Sequence, residues 1–306
     1  DIFMNVSPSV NNTRANVFIP EIWSDEVIAA YKQNLVMSPL VTKMSFKGKK
    51  GDTLHIPRPT RGVANRKLTE QQVTLQAATE NEVLVNIDQH FEYSRLIEDI
   101  TEVQALASMR RFYTADAGYA LARQVDTDLI RLGRRVDGGN GTAAYNRAVI
   151  GTDGSTLFTG TNGAALTDAA IRRVIQKMDD ADVPMDGRKL VIPPVAKHTL
   201  LGLPRYTEQA FVGETGGGNT IRNGRVGNVY GVEVFVTTNA DTATGAQGAR
   251  IALMFHKDAF VHAEQMGVRS QTQYLQEYLA TLYTADTLYG VAELRDEAAV
   301  AIAVAP

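Results

Sequence analysis

The residues able to do acid–base or metal chemistry are few, and their spacing is poor for it. The five histidines, His55, His90, His198, His256 and His262, are scattered, and His256 and His262 are too far apart to converge on one ion in the manner of closely spaced zinc ligands. Cysteine is absent, which excludes thiolate metal sites and disulfides. Asp182 to Gly187 has the outline of a calcium loop. Pro184 takes the third ligand position, however, and Pro193 stands where the closing glutamate belongs, so these acids read as a helix ending. Asp126 and Asp128 form a D-x-D pair on a helical stretch, where residues two apart point in different directions; both read as solvated surface. There is no G-x-S-x-G elbow and no G-x-G-x-x-G, and Gly48-Lys49 is followed by Lys50 rather than Ser or Thr. The Gly213 to Gly224 stretch, GETGGGNTIRNG, reads as an exposed loop with no lysine or acid placed to hold a nucleotide and its metal. An enzyme is therefore disfavoured.

One segment resists such a bland reading. Between Lys43 and Thr69 stand eight basic residues, Lys43, Lys47, Lys49, Lys50, Arg58, Arg61, Arg66 and Lys67, against the single acid Asp52. The chain as a whole nearly cancels, with a formal charge of −3 over 306 residues. Within the segment Leu54 and Ile56 alternate with Thr53 and His55, and after Pro57, Pro59 and Gly62 strand character resumes at Val73, Leu75, Val83, Val85, Ile87 and Phe91. The pattern predicts a long two-armed hairpin with the positive charge at its tip. Arms of about 20 residues reach at most about 70 Å, too far for the tip to fold back easily on its own core. Three roles fit: an arm docking on another subunit, a nucleic-acid site, and an idle loop. Phosphate binding has the charge it needs but lacks stacking aromatics, Phe46 being the only one between Lys43 and Thr69. An unsupported hairpin is only marginally ordered, so the docking arm is preferred, with Glu92, Glu98, Asp99, Glu102, Asp296 and Glu297 as acidic acceptors on a neighbour.

The elements around this segment are legible. The first twenty residues are polar and aperiodic, an arm or tail; Trp23, Val27, Ile28, Tyr31 and Leu35 then mark a short amphipathic helix that stops before Ser38-Pro39. Asp99 to Arg135 keeps a helical period through Ile100, Val103, Leu106, Leu121, Val125 and Leu129, with Asp99 and Glu102 as a capping box. It predicts one helix of about 50 Å, with Gly118 as a soft point. A second lobe begins near Thr167 with a helix carrying Ile171, Val174, Ile175 and Met178, then the strand Lys189 to Ile192 and a short helix after Pro193-Pro194. Two strands flank the turn at Tyr230-Gly231. Further strands are expected at Arg250 to Phe255, Ala259 to Ala263, Leu275 to Thr284, Leu288 to Leu294 and Ala298 to Val304. The class is α+β.

This order of elements resembles the major capsid protein of tailed bacteriophages, the Hong Kong 97 fold, over nearly the whole chain. GDTLHIPRP, RKLVIPP, GRVGNVYGVEVFVTTN, FHKDAFVHAE and YGVAELRDEAAVAI carry the resemblance, in this order and spacing. It implies an N-terminal arm and short helix at 1–42, an extended loop at 43–88, and a peripheral domain at 89–166 with its spine helix at 99–135. An axial domain at 167–255 and returning, mainly peripheral strands at 256–306 complete it. The implied function is structural: hexamers and pentamers forming an icosahedral shell around double-stranded DNA contacted non-specifically. A scaffolding protein, a portal and a decoration protein are the implied partners, with assembly in the host bacterial cytoplasm and no cofactor. Some members crosslink through a lysine of the extended loop, where Lys47, Lys49 and Lys50 lie; no motif carries that chemistry over. An encapsulin-like cargo shell is the nearest alternative.

Composition agrees with a shell subunit. With 44% hydrophobic and 21% charged residues the chain can bury a large core, and no apolar run approaches the roughly 18 to 20 residues needed to cross a bilayer. A near-neutral balance suits loose containment of DNA better than tight binding.

Overall fold

The computed structural model describes residues 26–31, 35–77, 80–100, 109–204 and 227–306. The expected N-terminal arm, Trp23, Glu102 and the Gly213 to Gly224 loop lie outside these residues.

The largest apolar mass sits around a six-stranded sheet. Its strands are β5 (Val149–Ile150), β6 (Arg188–Ile192), β7 (Asn228–Val229), β8 (Val232–Val236), β9 (Arg250–His256) and β12 (Ala299–Val304), in the order β5-β12-β9-β6-β8-β7. The six residues of β12, AVAIAV, are all buried, as a strand covered on both faces requires. Helix α2 (Asp168–Asp180) packs Ala170, Ile171, Val174 and Met178 into this core, and Thr167 caps it by accepting from the Ala170 N–H. Helix α3 (Pro194–Leu201) follows β6, as the proline pair predicts. β5, from the span 89–166, and the final strand β12 both join this sheet.

A four-stranded sheet in the order β1-β10-β11-β4 carries the other face of the molecule, from β1 (Thr42–Ser45), β4 (Gln89–Glu98), β10 (Phe260–Leu275) and β11 (Ala280–Glu293). The sequence pattern predicts a strand across Leu275 to Thr284. Instead the chain turns at residues 276–279, and one continuous strand runs to Glu293. The distal part of β10 was missed because it is polar and half-exposed and its register shifts twice, between Glu264 and Met266 and between Met266 and Arg269.

Helix α1 (Met109–Arg131) lies against this sheet. Ala117, Leu121, Ala122, Val125, Leu129 and Ile130 are buried along one stripe of it. Residues 99 and 100 are helical, 101–108 lie outside the described residues, and the described helix of 23 residues is about 35 Å long. Gly118 is a contact point rather than a soft point. A Cβ there would lie 2.5 Å from Ala30 Cβ and 2.7 Å from Tyr31 N, because the helical residues 26–31 cross α1 at this position.

Candidate functional site

The basic segment folds as the hairpin the alternation predicts. β2 (Thr53–Pro59) pairs antiparallel with β3 (Glu80–Asn86), from Thr53 opposite Asn86 to Pro59 opposite Glu80. This ribbon belongs to neither sheet. Its root is fastened by a small separate core in which Phe46, Val85, Ile87, Val261 and Ala263 are buried, with Leu54 and Ile56 packed against them. Gly290 allows the crossing, since a Cβ there would sit 2.3 Å from the Asn86 carbonyl oxygen.

Beyond Pro59 the chain leaves the strand, and Val73 and Leu75, expected in a strand, lie in an irregular loop. The Val63 N–H donates to Gln76 Oε1 at 3.0 Å and Gln76 Nε2 donates back to the Val63 carbonyl, closing the loop on itself. Apolar side chains remain in water here, Leu75 at 88% and Val63 at 72% exposure, with Val73 and Leu68 also exposed.

The charge does not gather at the tip. Lys47, Lys49 and Lys50 sit at the root, between β1 and β2, whereas Arg58, Arg61, Arg66 and Lys67 occupy the far half. Lys47 Nζ lies 3.2 Å from Glu264, and Lys49 stands over the Phe46 ring at 5.9 Å. Arg58 donates to Glu297 at 3.3 Å, and Arg61 approaches Asp182 at 3.9 Å. The ribbon thus lies along its own chain, contrary to the expectation that the tip would stay clear of its own core. Lys50, Arg66 and Lys67 are exposed and have no acidic partner among the described residues. All the pairs formed are solvent-exposed, each contributing roughly 0–1 kcal/mol, and are easily exchanged for partners on another chain.

The acids proposed as acceptors fall into two groups. Glu92, Glu98 and Asp99 run along β4 and its end, on the edge strand of the four-stranded sheet, with Tyr274 donating to Asp99 at 2.7 Å. Asp296 and Glu297 occupy the turn before β12, beside the ribbon. Beside them stands Glu293, which no local pattern marks and whose carboxyl is pushed up to about 8 by burial and then by the neighbouring Asp296. One of its oxygens is buried without a hydrogen-bond partner.

The other residues weighed for chemistry have structural employment. His55 meets Glu82 at 3.0 Å, His90 meets Asp286 at 2.9 Å, and His256 reaches the Asp186 carbonyl oxygen at 2.9 Å. Among the described residues no group of three or more His, Asp and Glu is placed to hold a metal ion. Arg134 clamps Asp241 at 2.7 and 3.1 Å, with the Tyr145 hydroxyl donating to the same carboxylate. The D-x-D pair does diverge, but it is not solvated surface. Asp126 is fully buried, while Asp128 accepts from the Tyr289 hydroxyl and from Gln124 at 3.1 Å. Periodicity alone hid this, because the group that covers Asp126 is the backbone at Val36 and Met37, some ninety residues away.

The body is thus two sheets, with α1 packed on the four-stranded one, and the charged ribbon belongs to neither. A model of phage capsid proteins matches residues 94–303, more than half of the chain. The chain belongs to the phage capsid protein family. The match starts in β4 and runs to β12, so the family signal lies in the body and not in the basic hairpin.

Solved structures extend the likeness to nearly the whole fold. One from Mycobacterium phage Che8 superposes with a TM-score of 0.68 at 20% identity, covering 88% of this chain and 90% of that one. The capsid of cyanophage P-SCSP1u gives 0.69 at 19%, covering 89% and 88%. A virus-like particle from Pyrococcus furiosus gives 0.57 at 10%, covering 93% and 99%. No curated protein matches the chain by sequence. The fold of this capsid protein is thus the α+β, Hong Kong 97-type fold, and its role is that of a shell subunit.

Proposed function

We propose that this capsid protein is the major subunit of a tailed-phage head, assembling as hexamers and pentamers into an icosahedral shell around double-stranded DNA. In this reading residues 43–88 form the extended loop, 89–166 with 256–306 the greater part of a peripheral domain, and 167–255 an axial domain. The observation that carries the reading is the β2–β3 ribbon. It stands outside both sheets, leaves Val63, Val73 and Leu75 in water, and beyond the small core at its root holds its own chain through exposed ion pairs. Such a ribbon gains order by lying on a neighbour, where Arg58, Arg61, Arg66 and Lys67 meet acids such as Glu92, Glu98 and Asp99 and fix the register. Lys47, Lys49 and Lys50 would brace the same contact from the root.

The role is structural, with no catalytic step. A scaffolding protein, a portal and a decoration protein are the partners of such a shell, and its DNA is contacted through non-specific charge. The Pyrococcus particle has the same fold, so fold alone does not decide what a shell contains; the family match favours phage DNA over a protein cargo. Replacing Lys47, Lys49 and Lys50 together by Gln tests the interface. Loss of shells in electron micrographs, with duplex-DNA binding unchanged, is expected. Intact shells with lost DNA binding would make the basic segment a nucleic-acid site instead.

A further inference from the structure

We propose that Asp126 and His262 form a two-sided latch on residues Val36 to Ser38, fixing where the chain enters β1 and hence where the basic ribbon is rooted. The geometry is direct. The N–H groups of Val36 and Met37 donate to the two Asp126 carboxylate oxygens at 2.9 and 3.1 Å, from a position buried inside α1. On the opposite side the Ser38 hydroxyl meets His262 Nδ1 at 3.1 Å, on β10. Met37, Ser38 and His262 are themselves buried. Four residues later β1 begins, and it pairs in parallel with β10, Lys43 opposite His262. The latch therefore joins α1, the entering segment and the four-stranded sheet at one place.

Two titratable groups of opposite kind hold one segment, and their responses to pH oppose each other. Burial pushes Asp126 up to about 6, and the N–H groups of Val36, Met37 and Ser38 pull it back only in part. The closed latch thus favours the protonated acid, and it tightens as pH falls from 7 toward 4. Burial pulls His262 down to about 4, so the closed latch favours the neutral ring and loosens over much the same interval. Tyr31 and Tyr289, which face Asp126, are raised by burial and stay neutral. His262 faces the Tyr289 ring at 5.5 Å, Lys43, whose charge lowers it, and Glu264, whose charge raises it and which is paired with Lys47. Asp128 is engaged by Tyr289. The consequence is a root whose position is buffered against pH between about 4 and 6.5. Only the assembly consequence rests on the shell reading; the latch itself is read on the single chain.

Hydrogen exchange of the peptide spanning residues 35–42, corrected for intrinsic rate and followed from pH 7 to pH 5 on the unassembled chain, tests this. The wild type is expected to change its opening constant by no more than about threefold, because the two contributions cancel. In Asp126→Asn only His262 responds, and opening should rise on the order of tenfold toward pH 5. In His262→Gln, which removes the titrating ring, opening should fall by a similar factor, and His262→Asn should do the same. Single variants that stay as flat as the wild type, or that both move in the same direction, overturn the latch. Failure of the wild type to form shells would instead strike the functional reading and leave this result standing.

Discussion

The six-stranded sheet and the β2–β3 ribbon divide the molecule's chemistry between them. In the sheet, β9 and β12 bury nearly every side chain; around it Arg134 and Asp241 pair largely withdrawn from water, and the buried Arg188 reaches out to the half-exposed Asp179. The ribbon has a core only at its root, and its distal half presents exposed apolar and basic residues held by exposed ion pairs. Hydrophobic burial makes the first region stable alone. The second has too little burial to offset the entropy of ordering a long hairpin, so its order depends on what it docks against.

The largest effect should come from breaking the sheet. Phe255, fully buried and 5.4 Å from the Phe260 ring, fills the space between β9 and the start of β10. Phe255→Ala should cost about 3–5 kcal/mol in denaturant unfolding. A loss below about 1 kcal/mol would mean that the apolar body is not what carries stability.

A smaller effect belongs to the turn where body and ribbon meet. The folded-state value of Glu293, about 8, lies above its ordinary 4.5, so its contribution is fully present below pH 4.5 and is lost as pH rises through about 8. Stability of the wild type should therefore decline between pH 5 and pH 9, with a slope from this group of at most about 1.4 kcal/mol per pH unit. Glu293→Gln should flatten that interval. An unchanged slope in the variant would place the titrating group elsewhere.

The smallest effect should come from the ribbon's own ion pair. Arg58→Gln removes an exposed contact with Glu297 and should change the stability of the isolated chain by less than about 1 kcal/mol. A larger loss would show that the ribbon is part of the folded body.

What could be read from the chain follows the same division. α2, β6, α3, β8 and β9 were legible because each buries a periodic or continuous apolar face bounded by Pro or Gly. The β2–β3 hairpin was legible from alternation at Leu54, Ile56, Val83 and Val85. The distal half of β10 was not, since its exposed polar residues imitate a loop. Nor were Asp126, Glu293 and His262 in their actual roles, because each is defined by partners far away in the chain or by a burial that no local pattern encodes. The division of the basic residues between root and tip was equally hidden, as it depends on where the strands begin.

The central claim is that the distal ribbon serves contact between subunits rather than the fold of its own chain. Replacing Arg61, Arg66 and Lys67 together by Gln, and comparing variant and wild type by light scattering and electron microscopy beside an unfolding curve, tests it most directly. The account predicts shells from the wild type, and from the variant a chain of unchanged stability that stops at unassembled subunits or capsomers. Normal shells from the variant, or a wild type that stays strictly monomeric, would contradict it.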